Sequence, residues 1–346
     1  MQYDQRMTLI SLLFALLIEQ LRPLKEDNWL ERMMVRWSHW VKDQLDAGQN
    51  HHALLVWSAC VMVPALFAFG MYWLLWSTLG WVVSGLWSIA VLYSTLGFRQ
   101  FSHHFTQIKE SLEAGEEDKA RSELCAWQKA DTAQLPKREL IRLSIEYSVL
   151  AAHQHVFGVL FWFSLGAAFG LGPAAAVIYR MSHLMARVFK EDANHPLGET
   201  LDQESAASSQ AHWVSETLEH VAKTTWGRID WTSSRVTALS FAIVGNFEDA
   251  IESWRTHASE FPHDNDGVVL AATAGALNLR LGGLALASLH QNAMDDSPDM
   301  GLKGGQSTAG KEAETEHLRS VVGLVWRTVV MWFVLLSLLT MARLLG

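Results

Sequence analysis

Cysteine is nearly missing from this chain: only Cys60 and Cys125 occur in 346 residues, too few for a disulfide framework or a cysteine-rich zinc module. Basic charge is in deficit. Lys and Arg total 27 against 36 Asp and Glu, a formal net charge of −9, which excludes the electrostatic footprint of a nucleic-acid binder. Strand-like alternation is absent from the polar segment 99–155 too, which argues against β structure there. The most telling absence is local: Ala53–Trp76 and Leu79–Gly97 contain no Asp, Glu, Lys or Arg.

Each of these two stretches matches the roughly 20 residues that a helix needs to cross about 30 Å of hydrocarbon. They are internal, and no A-x-A-like site follows Met7–Ile18, so a cleaved secretory signal does not explain them. Half of the residues are apolar while 18% are charged, a composition for a chain partly in lipid and partly in water. The 16 tryptophans gather near the ends of apolar runs, among them Trp57, Trp73, Trp76, Trp81, Trp162, Trp326 and Trp332, where indole rings sit at headgroup level. The expected fold class is an all-α, polytopic integral membrane protein with helical cytoplasmic segments, in a bacterial inner membrane.

The organisation follows from breaks in the pattern. Residues 1–52 read as membrane or interfacial helices, with Trp29, Met33, Trp37, Trp40 and Val41 on one side of an amphipathic helix. Residues 53–98 form a transmembrane hairpin and 99–155 a polar helical segment broken at Pro136. Gly166, Gly170, Gly172 and Pro173 split 156–189 into the helices Val156–Ala168 and Ala174–Phe189, a hairpin that leaves the flanking polar segments on one side. An acidic, Ser-rich linker is expected at 190–211. Helices Trp213–Lys223, Ser234–Val244, Phe247–Glu260 and Val268–Leu289 fill 212–290. A flexible loop at 291–317 precedes a final span at 318–346, whose Arg327 and Arg343 can snorkel or face the bundle.

Two motifs carry a family resemblance. Trp226-Gly-Arg-Ile-Asp-Trp-Thr-Ser-Ser-Arg-Val-Thr-Ala-Leu239 resembles the Asn/Asp-x-x-Pro-x-Arg-Leu-Thr segment of the CobD/CbiB family, and Ala274-Gly-Ala-Leu-Asn-Leu-Arg-Leu-Gly-Gly283 resembles its Ala-Gly-Ala-Leu-Gly-Val-Arg-Leu-Gly-Gly signature. The start, Met7-Thr-Leu-Ile-Ser-Leu-Leu-Phe-Ala-Leu-Leu-Ile-Glu-Gln-Leu21, and Asp230-Trp231 are similar to the diverged AmpE-like branch, associated with β-lactamase regulation. The resemblance implies adenosylcobinamide-phosphate synthase chemistry: ATP- and Mg-dependent amide formation between a corrinoid carboxylate and aminopropanol phosphate.

Departures from the family pattern matter as much. Of its acidic run only Glu146 is kept before Val159-Leu-Phe-Trp162, and Met181-Ser-His-Leu-Met-Ala-Arg187 replaces the Asn-Thr-Leu-Asp-Ser-Met element. Hard cations need carboxylate and carbonyl oxygens. The main expectation is therefore a non-catalytic or altered relative with a binding or envelope-signalling role, needing no cofactor and no metal. The alternative is a working synthase using ATP and Mg, with Glu146, Asp230 and Asp264 as substitute catalytic residues. Arg235, Arg280 and Asn265 form the expected ligand-binding set, since guanidinium suits phosphate and carboxylate. Arg235 could equally pair with Asp230, and Asn265 or Asp266 could cap a helix. The expected partners are the lipid bilayer, a small anionic ligand and a second copy in a homo-oligomer, with no nucleic acid. His103-His104 and His153-x-His155 point to different helix faces and do not form a closed zinc site. Gly305-Gln-Ser-Thr-Ala-Gly-Lys-Glu312 approaches a phosphate loop, but Glu312 stands in the Ser/Thr position and no strand precedes it, so it reads as a tether.

Overall fold

The computed structural model describes residues 2–21, 29–45, 50–128, 135–194, 206–282 and 308–345. Among them the chain is helical throughout, with one isolated backbone bridge between Leu279 and Lys311. It divides into two compact units, Met1–Leu96 with Val159–Trp231 and Arg343–Gly346, and Gly97–Gly158 with Thr232–Ala342.

The first unit contains α1 (Gln2–Leu21), α2 (Trp29–Leu45), α3 (Asn50–Leu79), α4 (Trp81–Thr95), α8 (Gly158–Ala168) and α9 (Ala174–Asn194). It also holds the N-terminal part of α10 (Ala206–Val244). Helix α3 packs on α2, α4 and α9, and α1 packs on α4. The core runs from Val56, Trp57, Cys60 and Val61 of α3 to Met181, Met185 and Phe189 of α9 and Leu218 of α10. The other side of α3 leaves Leu55, Leu66, Phe67 and Trp73 exposed. Exposed bulk of this size on a 30-residue apolar helix is a lipid-facing surface, since water penalises it at about 25 cal/mol per Å².

Two expectations change here. Leu79–Gly97 is not a full-length span: Gly80, at φ 86°, breaks the chain, and α4 has 15 residues, or about 22 Å of helix. Helix α2 has two apolar faces rather than one. Trp37 and Val41 pack inward, whereas Trp29, Met33 and Trp40 are exposed. The Gly-rich break between α8 and α9 forms a tight turn. Gly170 and Gly172 adopt positive φ, and the Leu171 N–H donates to the Gly166 carbonyl at 2.8 Å. A Cβ at Gly172 would fall 2.8 Å from the Tyr72 ring, so that turn requires glycine for both its φ and the ring above it.

The second unit contains α5 (Phe98–Glu113), α6 (Glu117–Gln128), α7 (Lys137–Ala152) and a one-turn π segment, His153–Phe157. It continues with the C-terminal part of α10, α11 (Phe247–His257), α12 (Asp264–Leu277) and most of α13 (Thr315–Leu345). Helices α5, α6 and α7 pack together, α7 meets α12, and α11 lies against α12. The α11–α12 approach depends on Gly275, where a Cβ would stand 2.2 Å from the Asp249 carbonyl oxygen. Arg138 pairs with Glu312 at 2.7 Å and Arg319 with Glu113 at 3.0 Å.

Helix boundaries also depart from the sequence expectation. Two helices were expected within 212–244, but α10 is one helix of 39 residues. Ser233 occupies the proline position of the resembled motif and keeps its backbone N–H, so nothing there breaks the helix. The expected boundary at residue 155 does not interrupt the chain, because Lys137–Ala168 runs through it as one apolar helix. The helix expected at Val268–Leu289 starts at Asp264 and stops at Leu277, where Asn278 takes the left-handed conformation (φ 53°, ψ 50°). Among the described residues three helices are long and apolar enough to cross a membrane, His52–Leu79, Lys137–Ala168 and Thr315–Ala342. The expected linker largely falls outside the described residues, as does the expected loop up to residue 307, and nothing is described of the Arg343 side chain.

Candidate functional site

The second Gly-rich motif turns out to be a delivery device. Helix α12 ends at Leu277, Asn278 closes it, and Leu279 and Leu281 are fully buried while Arg280 points out. The Arg280 N–H donates to the Lys311 carbonyl at 2.7 Å, and the Lys311 N–H returns to the Asn278 carbonyl at 3.0 Å. Thr308 accepts from the Leu281 N–H at 2.8 Å. The described end of the near phosphate-loop motif is therefore fastened to 278–281. This pinned segment carries Gly282, at φ 83°, to Glu146, whose Oε1 accepts its N–H at 2.6 Å.

Glu146 is fully buried on α7. Arg142 Nε lies 3.8 Å from Oε1, and the same guanidinium bonds Glu139, one turn earlier. Glu146 thus holds a backbone N–H beside a cation. Directly after α7, His153 in the π segment lies 2.9 Å from Thr237 Oγ1 on α10. The other paired histidines are likewise engaged locally, His104 stacking on Trp127 and lying 3.8 Å from Glu123. Among the described residues there is no group of three His, Cys, Asp or Glu side chains able to hold a metal ion.

Two of the three expected ligand-binding residues meet. Half-buried Arg235 donates through Nη1 to Asn265 Oδ1 at 3.0 Å and to Ser234 Oγ at 3.3 Å. Asn265 lies in the first turn of α12 and is not its cap. That position belongs to His263, whose carbonyl accepts from the Gly267 N–H at 2.8 Å. A guanidinium beside a helix N-terminus combines a full positive charge with the positive end of the peptide dipoles, a setting that favours anions. Arg280 is exposed, and no contact brings it to Arg235. Asp264 is exposed at the start of α12.

Asp230 belongs to the first unit and is buried there, accepting from the Tyr179 hydroxyl at 2.9 Å. Tyr179 and His183 are one turn apart on α9, as Trp226 and Asp230 are on α10. The Trp226 ring lies 5.0 Å from Tyr179 and 4.9 Å from His183. Burial lowers the Arg180 guanidinium to about 10, against the opposing field of Glu31. Sequence reasoning passed over this cluster, although the paired four-residue spacings of Tyr179/His183 and Trp226/Asp230 are visible in the chain.

The fold is that of an all-α protein with helices long and apolar enough to cross a membrane, in which Glu146 latches the Gly282 backbone and Arg235 meets Asn265 at the start of α12. The chain belongs to the CobD/Cbib protein family, whose model matches residues 12–189. Both motifs quoted above lie outside that match, so they carry the resemblance independently. Cobalamin biosynthesis protein CobD of Stutzerimonas stutzeri is 25% identical over 291 residues, 84% of this chain and 82% of that protein. The protein of the same name from Chromobacterium violaceum is 25% identical over 246 residues, 70% of this chain and 67% of its own length. That of Leptospira interrogans is 27% identical over 215 residues, 62% of each chain. No solved structure matches the chain.

Proposed function

We propose that this chain acts in cobalamin biosynthesis as a multi-pass protein of the bacterial inner membrane, at the amide-forming step that its family resemblance implies. The supporting observation is the extent of the relatives named cobalamin biosynthesis protein CobD, one of them covering 84% of this chain. They favour the synthase alternative over a binding or envelope-signalling role. In this reading the corrinoid carboxylate and aminopropanol phosphate are joined as an amide at the expense of ATP.

Arg235 and Asn265 serve as the anion-binding pair, the guanidinium offsetting the charge of a phosphate or carboxylate while Asn265 fixes its orientation. Arg280, exposed on the segment after α12, is an outer cation. The carboxylates do not fit a resident magnesium site. Glu146 is committed to Gly282 and lies beside Arg142, Asp264 is exposed, and the described residues contain no three-ligand group. Magnesium, in this reading, enters with the nucleotide as part of the substrate.

The test is complementation of a cobalamin-requiring strain that lacks its own CobD. The gene should restore growth on adenosylcobyric acid, which still needs the amide bond. Cobinamide, which already carries it, should support growth without the gene. Failure on adenosylcobyric acid, with the protein shown to be in the membrane, would leave the binding role as the better reading.

A further inference from the structure

Helix α2 carries aromatic bulk on the side that faces away from the protein. Trp29 is 68% exposed, Trp40 55% and Met33 44%, and on an α-helix these three share about 60° of arc with the exposed Arg36. Exposed Arg32 flanks this strip, and Asp43 ends it in the last turn. The opposite side is anchored. Ser38 and Val41 are buried, and Met34, Val35 and Trp37 pack on the core of the first unit. Trp40 stacks on Trp37 with ring centroids 5.3 Å apart, so the outer indole is held by the inner one.

Two attachments fix the level of α2. Val41 shares a core with Ala53, Val56 and Trp57, at the start of the span His52–Leu79. Glu31, near the other end of α2, is bonded to Arg187 of α9. Helix α9 leaves the turn where Gly172 lies against the Tyr72 ring and packs along α3, so Arg187, about 20 Å along it, stands level with the first turns of α3. Both ends of α2 are thus tied to one end of the span, and the helix lies across that end. Its charges, from Glu31 to Asp43, forbid a crossing of its own. This is the level at which lipid headgroups begin, and exposed Leu54 and Leu55 open the lipid-facing side of α3 there.

We propose that the outer face of α2 docks on the anionic headgroup layer of the bilayer, with Trp29, Met33 and Trp40 inserted where headgroups meet acyl chains and Arg36 on the lipid phosphates. Water penalises so much exposed indole, whereas the interface accommodates both the ring and its N–H. A guanidinium set among apolar side chains on one helix face matches phosphate oxygens above an acyl layer. Continuity with Leu54 and Leu55 selects the bilayer as the occupant, since lipid already bathes the neighbouring turns of α3. The assignment is independent of the synthase reading, because α2 contributes nothing to the Arg235 and Asn265 pair.

The experiment uses the full chain in vesicles of phosphatidylcholine and phosphatidylglycerol, spin-labelled at one cysteine. Cys60 is fully buried and stays in place, and exposed Cys125 on the polar helix α6 supplies the water reference. Met33→Cys combined with Cys125→Ser reports the outer face of α2. Its label should be several-fold more accessible to oxygen, and several-fold less to a nickel chelate, than the label at Cys125. Native mass spectrometry from mixed micelles holding both lipids equally then counts bound phosphatidylglycerol. Its enrichment should fall roughly three- to tenfold in Arg36→Gln, the effect of one basic residue near an anionic surface. It should persist in Arg36→Lys and in Arg255→Gln, which removes an exposed charge on α11. Nickel access equal to that at Cys125 would put the face in water. Exclusion of both reagents would put it against protein, and spin–spin broadening would make that protein a second copy. Each of these overturns the proposal, as does wild-type enrichment in Arg36→Gln or an equal loss in Arg255→Gln.

Discussion

Glu146 Oε1 accepts the backbone N–H of Gly282 at 2.6 Å, joining the middle of α7 to a segment 136 residues later. The bond is buried, so each partner depends on the other. Glu146→Ala would leave the Gly282 N–H without its acceptor and should destabilise the protein by about 1–3 kcal/mol. Glu146→Gln keeps a carbonyl oxygen in place and should cost less. Thermal unfolding in detergent measures both, and equal stability of Glu146→Ala and wild type would contradict the latch.

Gly275 sets how closely α11 and α12 can approach. A methyl group there meets the Asp249 carbonyl at 2.2 Å, a backbone atom with nowhere to go, so Gly275→Ala should destabilise by about 1–3 kcal/mol or more. Gly323 on α13 has nothing within 4 Å of the same added atom. Gly323→Ala should change stability by no more than about 1 kcal/mol. The contrast between the two variants, read by unfolding in one detergent, isolates packing from helix propensity.

Arg235 and Asn265 should act as one unit. Arg235→Lys replaces a fork by a point charge, and Asn265→Ala removes the acceptor that orients it. On the proposed synthase reading, each should raise the KM for the phosphorylated substrate several-fold. The double variant should show a coupling energy of about 0.5–3 kcal/mol. Additive effects would mean that the two side chains work separately.

Tyr179→Phe tests the first unit's buried acid. The ring stays against Trp226, but Asp230 loses the hydroxyl that donates to it at 2.9 Å, and stability should fall by about 1–3 kcal/mol. Tyr179→Phe with unchanged unfolding would show that the hydroxyl contributes nothing to holding Asp230.

Much of this architecture is legible where the signal is local. The turn between α8 and α9 announces itself through Gly166, Gly170, Gly172 and Pro173, and the charge-free run of α3 fixes a lipid-crossing helix. The unbroken α10 is harder to read, because it depends on the absence of a proline at Ser233 within a motif that resembles a turn. The two apolar faces of α2 cannot be separated by periodicity, which does not say which face meets protein and which meets lipid. Arg235 and Asn265 are legible as residue types, but their contact spans 30 positions. The Glu146 to Gly282 bond is a backbone interaction and has no side-chain pattern to reveal it.

The membrane assignment makes a prediction whose sign depends on the solvent. Leu66 is 59% exposed near the middle of α3, facing away from the core that contains Val61 and Ala65. If water bathed that face, Leu66→Arg would remove an exposed apolar side chain and improve solubility. With lipid there, the arginine costs about 2.5–3.5 kcal/mol at the helix centre. The share of protein remaining in the membrane pellet after alkaline carbonate extraction should therefore fall for Leu66→Arg, while Leu66→Phe should match wild type. Arginine at Leu338, exposed toward the C-terminal end of α13, should cost less, because its side chain can reach the interface by snorkelling. A Leu66→Arg protein that is extracted no more readily than wild type would place that face of α3 in water.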